Sequence, residues 1–109
     1  MNVRTIVACA VLSLATTVAA LASLVPSSLS QNPAKYDGTT VTVTGTVQHF
    51  EASKSPQVTG YQLCDSRCVI VIDRTNAMRR NGSKATVTGV FHAKWSGPMR
   101  SFSNAIIVG

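Results

Sequence analysis

The sharpest chemical grouping in the sequence is Cys64-Asp65-Ser66-Arg67-Cys68, two thiols with three residues between them. A tight turn over the middle three would bring the cysteines to facing strand positions, about 4.5–5.5 Å between Cα atoms, within reach of a disulfide. In an oxidising compartment such a pair is expected to close. The loop is so short that entropy favours its closure only modestly, so the bridge would mainly pin the register of a hairpin. A redox-active pair, with Arg67 lowering a thiol pKa, is the functional alternative, and a metal or haem thiolate is a third. Redox motifs of the thioredoxin kind place two residues between the thiols and open a helix; this spacing does neither.

His49 and His92 are the only histidines. A zinc site needs about four ligands, or three and a water. With both cysteines oxidised that count is not reached, so no metal and no cofactor is expected. The carboxylates are Asp37, Glu51, Asp65 and Asp73, each at a turn or strand end, where such groups commonly accept local backbone hydrogen bonds. No spacing pairs them for acid/base work, and no serine-nucleophile, zinc-protease or phosphate-loop motif is present. The expectation is a protein without enzymatic activity.

The 109 residues allow one domain at most. Charged residues make up 13%, about half the usual share of roughly 25%. From Thr5 to Leu24 there is no charge at all. Arg4, the apolar run from Ile6 and the Ala20-Leu21-Ala22 end follow the order of a secretory signal, with a cut expected after Ala22. An uncleaved membrane anchor is the alternative, although Ser13, Thr16 and Thr17 lower its hydrophobicity. Cys9 imitates a lipid-attachment site only loosely, because no apolar core precedes it. Removing residues 1–22 leaves 87, with nine basic residues against four acids and two cysteines instead of three. A periplasmic or secreted location follows.

The segment 23–35, with Val25-Pro26-Ser27-Ser28 and Asn32-Pro33, has no clear period and reads as a leader or flexible tether. Residues 36–109 read as the folded domain. Thr39 to Phe50 alternates with period two, Val41, Val43 and Val47 on one side and threonines on the other. Glu51 to Gln57 reads as a loop, Val58 to Cys64 as a second strand, and Cys68 to Asp73 as a third whose Val-Ile-Val-Ile run suggests cover on both faces. Arg74 to Arg80 has weak helical character before Asn81-Gly82. Lys84 to Ala93 is strand four, Lys94 to Arg100 a loop, and Ser103 to Val108 strand five.

Strands one and four echo each other: Val41-Thr42-Val43-Thr44-Gly45-Thr46-Val47 against Ala85-Thr86-Val87-Thr88-Gly89-Val90-Phe91. A glycine inside a strand marks a bend or bulge, and two such strands suit a small closed barrel. The expected fold is therefore all-β: a five-stranded Greek-key barrel of the OB-fold type with a short helix between strands three and four.

The Val-x-Val-x-Gly-x-Val string, Tyr61-x-Leu63-x-Asp65 and Gly82-Ser83-Lys84-Ala85-Thr86-Val87-Thr88-Gly89 resemble exported bacterial OB-fold (BOF) proteins. More loosely they resemble OB domains of the tRNA-anticodon type. The resemblance spans Tyr36 to Val108; the Cys64/Cys68 pair and the basic charge depart from the BOF pattern. It implies a binding module whose ligand lies across strands two and three between the loops after strands one and four. Those places hold Phe50, Lys54, Tyr61, Lys94, Trp95, Arg100 and Phe102. Rings with interleaved cations suit single-stranded nucleic acid or another anionic, extended ligand. A protein-interaction or structural module of the envelope, using the same face, is the competing expectation.

Overall fold

The computed structural model describes residues 23–54, 57–97 and 100–109. The segment read as an export signal, with Cys9, lies outside them. Five strands, β1 (Thr40–Lys54), β2 (Gln57–Cys64), β3 (Cys68–Asp73), β4 (Lys84–Ser96) and β5 (Ser101–Val108), close into a barrel in the order β1-β2-β3-β5-β4. All neighbours are antiparallel except β3 and β5. Two short helices precede them, α1 (Pro26–Gln31) and α2 (Pro33–Tyr36).

The period-two pattern of β1 has the expected consequence. Val41, Val43 and Val47 are buried, while Thr42 and Thr44 face out and hydrogen-bond the echoed Thr88 and Thr86 of β4 at 2.9 and 2.8 Å. β1 pairs with β4 through Thr40–Thr46 and with β2 through Thr46–Lys54, so this one strand turns the sheet's corner. The two echoed glycines make the closure possible. A Cβ on Gly45 would lie 2.9 Å from the Cys64 carbonyl oxygen, and one on Gly89 would lie 2.5 Å from that of Ile107. Both are points of close approach where no side chain fits. Inside, a cross-strand row of Tyr61, Val71, Ile106 and Phe91 joins Leu63, Val69 and Val87 in the core.

The segment read as a flexible tether is part of the fold. Leu24 pairs with the edge of β1 that β2 does not reach, accepting from Thr44 N–H at 2.9 Å and donating to Thr42 O at 2.8 Å. Pro26 opens α1, where its fixed φ and missing N–H cost nothing. Three residues on, Leu29 is 0% exposed and belongs to the core. The helix is fastened to the β2–β3 turn by Asp65, whose carboxylate accepts from Ser27 N–H at 3.0 Å and Ser27 Oγ at 2.7 Å. A pair of apolar residues three apart was enough to stopper a barrel end, too short a pattern to show as a period.

The helix expected over Arg74 to Arg80 does not form; the chain there is a turn followed by irregular structure. Asp73 caps the turn by accepting from Thr75 N–H at 2.7 Å, and Asn76 sits at φ 61°, outside the right-handed helical region. Thr59 Oγ1 donates to Ala77 O at 3.1 Å, tying this segment to β2.

The two expected long loops are also corrected. β1 runs on to Lys54 and pairs with Gln57, and β4 runs on to Ser96 and pairs with Ser101. Both become two-stranded arms, because ladder hydrogen bonds need no apolar alternation. At its midpoint β1 carries a bulge between Gln48 and Glu51, with His49 at φ 52° and Phe50 N–H donating to Asn81 Oδ1 at 2.9 Å.

Candidate functional site

Outside the barrel, the face of β2 and β3 is a groove of about 220 Å³. Gly60 and Ile72 form one cross-strand pair of its floor, Gln62 and Ile70 the next. Ile70 and Ile72 are only half-buried, so the outer side of the Val-Ile-Val-Ile run is partly open rather than covered. The flanks come from the neighbouring strands in the ring: His49 and Glu51 from β1 on one side, Arg100 and Phe102 at the start of β5 on the other. One wall therefore presents an acid and an imidazole, the other a guanidinium and a ring, over an apolar floor.

Phe102 is held in place from two sides. Trp95, its partner in the β4–β5 ladder, stacks on it with centroids 6.4 Å apart and 20° between planes. The Arg100 guanidinium lies 6.0 Å from its centroid. Trp95 itself faces a second, shallower groove of about 480 Å³ with Arg74, Thr88 and His92. Trp95 is thus a strand residue of an arm and not a loop residue, and it backs the Phe102 wall.

The other sequence candidates divide. Tyr61 sits in the groove's floor but is 3% exposed, so its ring is core and offers no stacking platform. Burial pushes its hydroxyl pKa up, against the pull of the nearby Arg79 guanidinium, and among the described residues neither Tyr61 Oη nor Arg79 Nε has a partner at full hydrogen-bond geometry. Phe50 packs on Tyr61 at 6.1 Å between centroids and supports the core from the bulge. Lys94 is exposed on β4 opposite Ser103, and Lys54 is exposed where β1 ends; neither lines the groove. Of the seven, the structure gathers Tyr61, Arg100 and Phe102 at one groove, with Trp95 behind.

Sequence reasoning missed Glu51, Gln62, Ile70 and Ile72 as groove residues, and treated His49 only as a metal candidate. Gln62, Ile70 and Ile72 could have been found by assigning the outward parity of β2 and β3. Parity alone assigns Glu51 to the wrong face, for a reason that lies in the bulge. The two histidines line different grooves, and among the described residues no three His, Cys, Asp or Glu side chains gather to hold a metal.

Cys64 and Cys68 are a cross-strand pair with sulfurs 2.04 Å apart and Cα atoms 4.0 Å apart, so the disulfide closes the β2–β3 hairpin as expected. Within its turn, burial would raise the Asp65 carboxyl, but hydrogen bonds from Ser27 and Arg67 outweigh it and hold the pKa below the usual carboxylate value. Comparison of the chain with protein-family profiles, with curated proteins and with solved structures finds no match.

Proposed function

We propose that the chain is an exported OB-fold binding module without enzymatic activity, whose β2–β3 face takes single-stranded nucleic acid. The ring order with its parallel β3/β5 pair and the groove over β2 and β3 support the OB-fold reading. The charge, apolar run and small-residue order of residues 1–22 supports export, and the Cys64–Cys68 bridge fits an oxidising compartment. Among the described residues the groove holds one carboxylate, one imidazole and no serine, threonine or thiol, which favours binding over catalysis.

The observation that carries the ligand class is the Phe102 wall. A half-buried ring, with the Trp95 ring alongside it and the Arg100 guanidinium 6.0 Å from its centroid, joins aromatic surface to a cation. Base stacking on such a ring is worth about 1–3 kcal/mol per base, and the cation attracts the adjoining phosphate. Trp95, the only tryptophan, reports on its own neighbourhood. Titration with short single-stranded oligonucleotides at low salt should change its fluorescence, and the affinity should fall as salt rises. Absence of binding at low salt overturns the reading.

A second reading, a protein-interaction module of the envelope, is favoured by the partly open Ile70 and Ile72. It requires binding that ignores salt and survives replacement of Lys94 and Arg100 by alanine.

A further inference from the structure

The β1 bulge decides which side chain reaches the groove. Inward positions of β1 are Val41, Val43 and Val47, so strict alternation would turn Glu51 into the core. Gln48 pairs with Gln62, but after the bulge Glu51 pairs with Gly60, a shift of one residue. That single inserted residue flips Glu51 to the outer face, into the row Glu51, Gly60, Ile72. Bulges beside functional sites re-aim side chains in this way.

The device has a cost and a buttress. His49 adopts a left-handed φ of 52° without being glycine, a conformation that persists only where the surroundings enforce it. The N–H of Phe50, in the bulge, is satisfied by Asn81 Oδ1 at 2.9 Å, from the segment beside β1 that leads into β4. In front of Glu51 the floor is left open by Gly60. Packing does not demand glycine there, since an added Cβ would meet nothing nearer than the Val71 carbonyl oxygen at 3.7 Å. Gly60 is conspicuous for the space it leaves.

Glu51 and Arg100 thus line opposite walls of the same groove, one on β1 and the other just ahead of β5. A nucleotide laid across β2 and β3 would put its phosphate at Arg100, its ring against Phe102 and the isoleucine floor, and its base edge at Glu51. A carboxylate accepts hydrogen bonds and cannot donate. At position 4 of the ring cytosine offers it the N4 amine, and uracil a carbonyl oxygen, which it repels.

Resting on the nucleic-acid reading, we infer that Glu51, delivered by the β1 bulge, makes the groove select bases with an amino edge, cytosine over uracil. The test compares short oligodeoxycytidine and oligodeoxyuridine, matched in length, at low salt and neutral pH, by Trp95 fluorescence on the disulfide-bonded protein. The parent should bind oligodeoxycytidine at least about five-fold more tightly, the low end of what one such edge contact discriminates. In Glu51→Gln the two affinities should converge, because the amide can both donate and accept. Gly60→Val, which fills the space before Glu51, should weaken both ligands. Equal affinities in the parent, or a ratio unchanged in Glu51→Gln, overturn the selectivity and leave the nucleic-acid reading standing. If neither oligonucleotide binds, that reading falls and the selectivity with it.

Discussion

Leu29→Ala tests whether the N-terminal segment is structure or tether. Leu29 is 0% exposed and sits among core residues contributed by the barrel, although it belongs to a six-residue helix ahead of it. Leucine-to-alanine changes in cores cost about 2.7–5.0 kcal/mol, more where the cavity stays open. α1 is short, and its fastening outside the core is the Ser27–Asp65 pair, so it can settle toward the vacated space. That places the loss near the low end, about 3 kcal/mol. For a domain of 60–100 residues each kcal/mol is worth about 4–8 °C, so the midpoint should fall by at least about 12 °C. Urea and thermal unfolding, followed by far-UV circular dichroism and Trp95 fluorescence, measure both quantities. Val25→Ala, at a position 41% exposed, is the control and should change stability by less than about 0.5 kcal/mol. If Leu29→Ala behaves like that control, the segment is a tether after all.

Gly89→Ala should cost about 1–3 kcal/mol, because its Cβ would meet the Ile107 carbonyl at 2.5 Å, whereas Gly60→Ala should be close to neutral; paired urea midpoints compare them. Tyr61→Phe removes a buried hydroxyl with no partner at full hydrogen-bond geometry among the described residues, so stability should stay the same or rise by up to about 1 kcal/mol, and a loss above that would show a bond the hydroxyl makes to Arg79. Reducing the disulfide should lower stability by about 2 kcal/mol, the chain-entropy value for so short a loop, without unfolding the barrel by circular dichroism. Asp65 has a folded pKa below its unfolded value, so its contribution is complete above about pH 4 and is lost as pH falls through the folded value. Asp65→Asn should therefore be less stable than the parent at pH 5–8, the difference vanishing in stronger acid; a constant difference would assign the effect elsewhere.

The inward faces were legible wherever alternation ran long. Val41, Val43 and Val47 needed no more than counting, and the repeated Gly45 and Gly89 pointed to close approach in a curled sheet before any contact was known. The Cys64–Cys68 spacing was legible because a turn of three residues leaves few other geometries. What escaped was set by partners distant in sequence. Pro26 and Leu29 carry no periodic signal and acquire meaning only once a barrel end is there to receive them. Ser53, Lys54, Lys94 and Trp95 continue strands through backbone pairing, which composition does not record. Arg74 to Arg80 lost its helix to a local competitor, the Asp73 carboxylate, whose capping of Thr75 could have been anticipated from its type and position.

The bulge is the instructive failure, because there a correct rule gives the wrong side. Counting by twos from Val47 assigns Glu51 to the core, and the count is sound up to Gln48. No glycine announces the break; the residue that takes the left-handed conformation is His49, and the side chain that satisfies the freed N–H is Asn81, 31 residues away. A buried, unpaired carboxylate at Glu51 would be costly, so the sequence did hold a hint: an acid on the inner parity of a confident strand. Such a conflict between parity and charge has two resolutions, an end to the strand or a bulge within it. Reading it as a loop chose the first. The strand instead continues to Lys54 with its register shifted, and this turns a would-be core violation into the acidic wall of the groove.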